Sequence, residues 1–254
     1  MSTIESLIII RHGQSAYNEL RERKKLDPAY VEFLGSFPKR RSDPDLVKQA
    51  ALCYLEHTNQ SLLDNFETPL TEEGKRQSYE VGRRLKELDS LSDVIFVSPH
   101  IRAIQTYELI LRGWPELKKV KIIEDERLRE QERGLYLNYN DWKIFTVFHP
   151  EQEDLMNLQG HYWYRYPQGE NIPDVRLRIN SWLDSLDRKE GSRFVAITHH
   201  IPILALRANL EEMNWPALMD LDKRDTPINC GVTSYARRMN IESLSLEAYN
   251  QKFY

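Results

Sequence analysis

Cysteine is almost missing from this chain of 254 residues, and the shortage removes whole classes of protein. Cys53 and Cys230 alone make no disulfide framework, and two thiols cannot furnish a four-thiolate metal site. The spacing of His57, His100, His149 and His161 is not that of a zinc motif. No apolar run approaches the ~18 residues that span a bilayer. The opening Met1-Ser2-Thr3-Ile4-Glu5-Ser6 lacks the basic and apolar parts of a secretory leader. An excess of basic charge is lacking as well. The formal net charge is −4, where a dedicated nucleic-acid binder would be basic. Internal repeats and low-complexity segments are absent. The expectation is a soluble cytoplasmic protein with no nucleic-acid or membrane partner, long enough to bury a substantial core.

What is present alternates. The apolar run Leu7-Ile8-Ile9-Ile10 ends at Arg11-His12-Gly13 and reads as a buried parallel strand. Similar strands are expected over 93–97, ending in Ser98-Pro99, over 121–123, and over 193–198, ending in a histidine pair. Helical patterns lie between them. Thr71 is a candidate N-cap for a helix whose apolar face would run through Tyr79, Gly82, Leu85 and Leu88. Others are expected from Ile101 to Leu111, from about Pro173 through Val175, Ile179, Trp182 and Leu186, and after Pro202. The tail from Val232 to Leu246 adds a last strand or two. Strands alternating with helices predict an α/β fold with a mainly parallel sheet. In such sheets ligands sit at the carboxyl ends of the strands.

Two stretches break the rhythm. We read residues 1–254 as one domain with insertions at about 19–70 and 135–172, placed over one end of the sheet. The first carries the basic runs Arg21 to Lys25 and Lys39 to Arg41, then an amphipathic segment from Asp45 to Leu63. Such runs are usually solvated faces, and the alternative is that they attract a charged phosphate ester. The second is rich in aromatics, Tyr136, Tyr139, Trp142 and Tyr166 among them, which reads as core or as the lining of a substrate pocket. Cys53 is expected to be a buried apolar residue.

Six motifs carry a family resemblance. Arg11-His12-Gly13-Gln14-Ser15 through Asn18 resembles the opening motif of the histidine phosphatase superfamily, branch 1, which includes phosphoglycerate mutases and many phosphatases. Pro69 to Gly74, Ser98 to Thr106, Leu128-Arg129-Glu130 with Gly134, Pro167 to Glu170 and Ile197-Thr198-His199 resemble the family's later segments, in the family's order. The resemblance implies a phosphoglycerate mutase-like three-layer α/β/α sandwich. It also implies a phosphatase acting through a phosphohistidine on His12, with Glu130 as proton donor and acceptor, and no metal or other cofactor. The expected catalytic set is His12, Glu130, Arg11, Arg102 and His199. The expected substrate-binding set is Arg11, Asn18, Arg102, His199, Gln14 and His200.

The residue types suit that chemistry. In-line displacement at phosphorus needs a nucleophile and positive charge around the equatorial oxygens. Neighbouring cations disfavour the imidazolium and so keep His12 nucleophilic. The guanidinium groups of Arg11 and Arg102 match phosphate bidentately. A leaving alkoxide needs a proton, which a carboxyl such as Glu130 supplies before acting as base toward water. Glu132 competes for that role, and the resemblance favours Glu130, whose position relative to Leu128 and Gly134 fits the family segment. His200 stands where the family usually has glycine. The remaining histidines at 57, 100, 149 and 161 are expected at the surface or behind the site. The substrate is expected to be a small phosphorylated molecule, with a phosphoprotein left open, as is the oligomeric state. Two alternatives stand beside the phosphatase: a mutase of the phosphoglycerate type, and a non-catalytic phosphate-binding module.

Overall fold

Short Ile- and Val-rich runs become the strands of one sheet, and the amphipathic stretches between them become its covering helices. The computed structural model describes residues 4–57, 65–88, 92–238 and 243–254. In chain order the elements begin with β1 (Ser6–Arg11), α1 (Ala16–Arg23), α2 (Pro28–Ser36), α3 (Pro44–His57), α4 (Glu72–Glu87), β2 (Val94–Val97), α5 (Ile101–Gly113) and β3 (Lys121–Glu124). They continue with α6 (Trp142–Phe148), α7 (Pro150–Gln159), α8 (Ile172–Leu186), β4 (Arg193–Thr198), α9 (His200–Leu210), α10 (Trp215–Arg224), β5 (Val232–Arg237) and β6 (Leu244–Gln251). They divide between two compact units. One contains the chain up to Ser15 with residues 66–131 and 172–254, and the other contains residues 16–65 and 132–171.

The first unit is built on a six-stranded sheet of order β3-β2-β4-β1-β5-β6. Its first four strands are parallel, and β5 and β6 complete the other edge antiparallel. Side chains alternate between faces along each strand. Ile10, Ile95, Val97, Val195 and Ile197 pack against Val81 and Leu85 of α4 and Ala103 and Ile110 of α5. On the opposite face Phe96 meets Trp182 of α8 edge-on, with ring centroids 5.5 Å apart. The result is the expected α/β architecture, with helices on both faces of a mostly parallel sheet.

Two details differ from the sequence reading. The 121–123 strand is not interior. It is the sheet edge, and Ile122 is 46 % exposed. The buried stripe of α4 runs through Ser78, Val81, Gly82 and Leu85, while Tyr79 and Leu88 face outward. Gly82 and Leu85 are buried as expected, but Ser78 carries no hydrophobic signal, so the expected stripe was drawn through Tyr79 in its place. Among the described residues no helix is long and apolar enough to cross a membrane.

The second unit is helical, and its core is largely aromatic. Tyr30, Phe33 and Tyr54 pack with Val47, Ile144 and Val147, and Tyr136, Phe145, Tyr164 and Tyr166 form a neighbouring cluster. The aromatic-rich stretch therefore serves chiefly as core, although Trp163 is 51 % exposed. Cys53 is exposed, contrary to expectation, because it lies on the outer side of α3 from the buried Val47, Ala51 and Tyr54.

Most cations of the basic runs are exposed as expected, and Lys24 and Arg40 are the exceptions. Lys24 Nζ lies 2.5 Å from Asp141 Oδ2, and both side chains are nearly buried. Asp141 also accepts a hydrogen bond from the Tyr30 hydroxyl at 2.7 Å and caps α6 through the Ile144 amide. Arg40 pairs with Glu153 of α7 at 2.8 Å. Removing one partner of a buried pair strands the other charge, which costs about 3 kcal/mol. Asp141→Ala is therefore expected to lower the Tm measurably in a thermal melt, and more than Arg41→Ala, whose pairs are exposed. Equal Tm values for the two variants would contradict this account of the buried pair.

Candidate active site

The register of the parallel strands decides which side chains meet. Arg11 is aligned with Thr198 across β1 and β4, and Val97 with Ile197 across β2 and β4. The residues that follow, His12, His199 and Ser98, therefore emerge side by side at the carboxyl ends. The His12 amide donates to the Thr198 carbonyl at 3.0 Å, and the Ser98 amide to the Ile197 carbonyl at 3.0 Å. Arg102 is set in the first turn of α5, directly after the β2 end. All of this lies in the first unit.

The four side chains at the centre are buried: His12, His100, Arg102 and His199. The rings of His12 and His199 are 5.0 Å apart, and those of His100 and His199 are 4.8 Å apart. Arg102 donates from Nε to His12 Nε2 at 3.3 Å and from Nη2 to His100 Nδ1 at 3.0 Å. A guanidinium can only donate. His12 must therefore carry its lone pair on Nε2 and its proton on Nδ1, which donates to the Gly13 carbonyl at 2.7 Å. His100 is likewise an acceptor at Nδ1.

The electrostatics agree. Burial first, then the charges of Arg102 and Arg11, push His12 well below the ordinary histidine range. Burial and then Arg102 do the same to His199. His100 is pushed down to about 3, by burial and then by Arg102. His199 Nε2 pairs with Ser98 Oγ at 2.7 Å, and its Nδ1 is buried with no hydrogen-bond partner. A buried polar atom in that state is rare in folded proteins.

The backbone around His12 is held tightly. The Gly13 amide donates to Thr106 Oγ1 at 3.0 Å, and Thr106 donates to the Arg102 carbonyl at 2.7 Å. A Cβ on Gly13 would lie 2.5 Å from the Gly74 carbonyl oxygen, and one on Gly74 would lie 2.0 Å from that of Gln14. Only paired glycines let the start of α4 press against this loop. Gln14 is committed to the same junction. Its carbonyl accepts from the Thr71 amide, its side-chain oxygen accepts from Thr71 Oγ1 at 2.9 Å, and its own amide donates to Gln77. That arrangement makes Gln14 a support of α4.

Arg11 is half-buried and donates to the Pro227 carbonyl at 2.6 Å. Glu130 accepts from three backbone amides: Gln131 and Ile201 on Oε1, at 2.9 and 3.2 Å, and His200 on Oε2, at 3.2 Å. Its main chain is pinned by Arg178, which donates to the carbonyls of Arg127 and Glu130, and by Thr198 Oγ1, which donates to the Leu128 carbonyl at 2.6 Å. The charge of Glu130 is near enough to act on His100.

The structure thus brings His12, Arg102 and His199 into direct contact or adjacency. Arg11 is the last residue of β1, next to His12, and the Glu130 carboxyl meets the first amides of α9. The His200 ring pairs through Nε2 with Asp222 Oδ1 at 2.6 Å. Asn18 lies half-buried on α1 of the second unit. Glu132, also in the second unit, closes a local turn by accepting from the Gly134 amide at 2.9 Å. His149 packs against Tyr139, and His161 is exposed. The His57 side chain lies outside the described residues. Sequence reasoning gave Ser98 and His100 no place at the centre. The available signal was their position in the same strand-end turn as Arg102.

A buried neutral histidine makes stability depend on pH. The unfolded chain protonates His100 below about pH 6.5, and the folded chain only near 3. Its contribution is complete above about 6.5 and is lost as the pH falls. Between pH 7 and 5 it amounts to about 2 kcal/mol. Urea unfolding at those two pH values is expected to show a smaller loss in His100→Gln than in wild type. An equal loss would show that His100 is protonated in the native state.

Comparison with known proteins supplies the lineage. Residues 56–244 match the description of the histidine phosphatase superfamily (branch 1), a span that holds Arg102, Glu130 and His199 and begins after Arg11 and His12. The phosphoglycerate mutase-like protein AT74H of Arabidopsis thaliana is 30% identical over 130 residues, 47% of this chain and 44% of that protein. The probable phosphoglycerate mutase GpmB of Cronobacter sakazakii is 31% identical over 136 residues, 52% of this chain and 59% of the relative. These alignments span about half the length of either curated relative. The fold also matches that of a mycobacterial glucosyl-3-phosphoglycerate phosphatase, with a TM-score of 0.61 and 18% identity over 97% of this chain and 99% of the other. The motif order, the sheet and the matched span lead to one lineage: the chain belongs to branch 1 of the histidine phosphatase superfamily.

Proposed function

We propose that the chain hydrolyses phosphoric monoesters through a phosphohistidine on His12. The observation that carries this reading is the lone pair on His12 Nε2, held there by a guanidinium that can only donate. The Arg102 Nε–H shifts from His12 Nε2 to a phosphoryl oxygen, Nε2 attacks phosphorus with the lone pair so released, and the bond from phosphorus to the ester oxygen breaks. Glu130 gives its proton to the departing oxygen. Water then attacks the phosphohistidine, Glu130 takes a proton from that water, and the N–P bond breaks to restore His12. Arg11 and Arg102 face the equatorial oxygens with fixed positive charge, the task a metal ion performs in other phosphoryl-transfer sites. His199 Nδ1, buried and without a partner, is a ready donor to a phosphoryl oxygen. The substrate class is a small phosphorylated molecule.

The names of the curated relatives favour a second reading, in which the phosphoryl group returns to another oxygen of a phosphoglycerate. The residues after Glu130, Gln131-Glu132-Arg133-Gly134, contain no adjacent arginine pair suited to a second acidic group, so hydrolysis is preferred. Assaying 3-phosphoglycerate with and without 2,3-bisphosphoglycerate separates the two. Isomerisation faster than phosphate release would reverse the preference.

Two variants test the roles directly. His12→Ala is expected to abolish phosphate release from an aryl phosphate. Glu130→Gln is expected to lower kcat by roughly 10²- to 10⁴-fold on an ester with a basic leaving group. Equal and negligible activity in wild type and His12→Ala would instead identify a phosphate-binding module.

A further inference from the structure

We propose that Asp222 and Thr226, acting through the ring of His200, are positioning residues for Glu130. The inference rests on the phosphatase reading above. His200 is the first residue of α9 and engages both sides at once. Its amide donates to Glu130 Oε2 at 3.2 Å, and the next amide, of Ile201, donates to Oε1 at 3.2 Å. Its ring Nε2 meets Asp222 Oδ1, on α10, at 2.6 Å. An ionised carboxylate can only accept, so the ring donates to it whether neutral or charged. Thr226 Oγ1 donates to the same Oδ1 at 3.1 Å and lies 3.1 Å from Nε2.

The ring is thereby tied to a neighbouring helix, and the first turn of α9 cannot rotate about its axis without breaking that tie. The orientation of two of the three amides that hold the Glu130 carboxyl depends on it. The tie extends further. Pro227 directly follows Thr226, and its carbonyl accepts from Arg11 at 2.6 Å. The turn itself is fastened by Asn250, which donates to the Thr226 carbonyl at 3.0 Å and to Asp225 at 2.7 Å and accepts from the Ile228 amide at 2.8 Å. One turn thus supports both the proposed acid and one of the proposed phosphate-binding guanidinium groups. Misplacing an acid by a fraction of an ångström weakens proton delivery more than it weakens binding.

Leaving-group basicity distinguishes this role from general support of the fold. Phenyl phosphate and p-nitrophenyl phosphate share a ring, but only the more basic phenolate of the first depends strongly on a proton from Glu130. Asp222→Ala is expected to lower kcat/KM, which reports transfer to His12 alone, roughly 10-fold on phenyl phosphate and by less than about 2-fold on p-nitrophenyl phosphate. Asp222→Asn, which keeps an acceptor oxygen, is expected to restore most of the loss, and Thr226→Val to show a weaker form of the same selectivity. In a Glu130→Gln background Asp222→Ala is expected to add nothing. Equal losses on both esters, or a full additional loss in the Glu130→Gln background, would overturn the positioning role while leaving the phosphatase reading intact. A wild-type protein inert toward both esters would overturn the two together.

Discussion

A guanidinium donating to an imidazole nitrogen sets the state of everything near it. Arg102 is buried, and the neutral rings of His12 and His100 accept its hydrogen bonds. Protonating either ring would remove the acceptor and place two positive charges together away from water, where like charges repel most strongly. One cation therefore fixes the tautomers of two histidines and, with burial, holds His199 neutral as well. In the proposed reaction this combination is what a phosphoryl group needs: fixed positive charge and an unprotonated nucleophile in one place. Either alone is easy to build, and the fold supplies both by making the cation hold the nucleophile.

The arrangement is rigid because it grows from regular elements. Three adjacent parallel strands, β2, β4 and β1, end at one level, and each is followed at once by a functional segment. Paired glycines bring the start of α4 against the loop after β1, and Thr106 of α5 ties the Gly13 amide to the Arg102 carbonyl. Arg178 and Thr198 pin the backbone leading to Glu130. Sites supported by helices and strands hold their geometry better than sites carried on loops alone.

Much of this was legible in the sequence because it follows from local chemistry. Continuous Ile and Val runs identified β1 and β4, and the polar residues at their ends drew attention to His12 and His199. Other features were hidden because their signal is not local. The buried face of α4 includes Ser78, a polar residue whose hydroxyl bonds the Gly74 carbonyl and meets Cys230 from far along the chain. His100 stood within a recognised motif, yet its contact with Arg102 depends on how the first turn of α5 is oriented. Lys24 read as one member of a basic run, and only the partner at Asp141, far along the chain, makes it a nearly buried ion pair. His200 stood at the family's glycine position, and its partner Asp222 on α10, 22 residues further along the chain, carried no signal of its own.

The central claim is that His12 is neutral in the native state, with its proton on Nδ1 and its lone pair on Nε2. Long-range ¹H–¹⁵N correlation spectra of the imidazole nitrogens, recorded on the folded protein between about pH 5 and 8, report charge and tautomer together. The account expects one set of His12 signals, unchanged across that range and characteristic of the neutral Nδ1–H form. A titration centred near the ordinary histidine value, or a proton residing on Nε2, would contradict it.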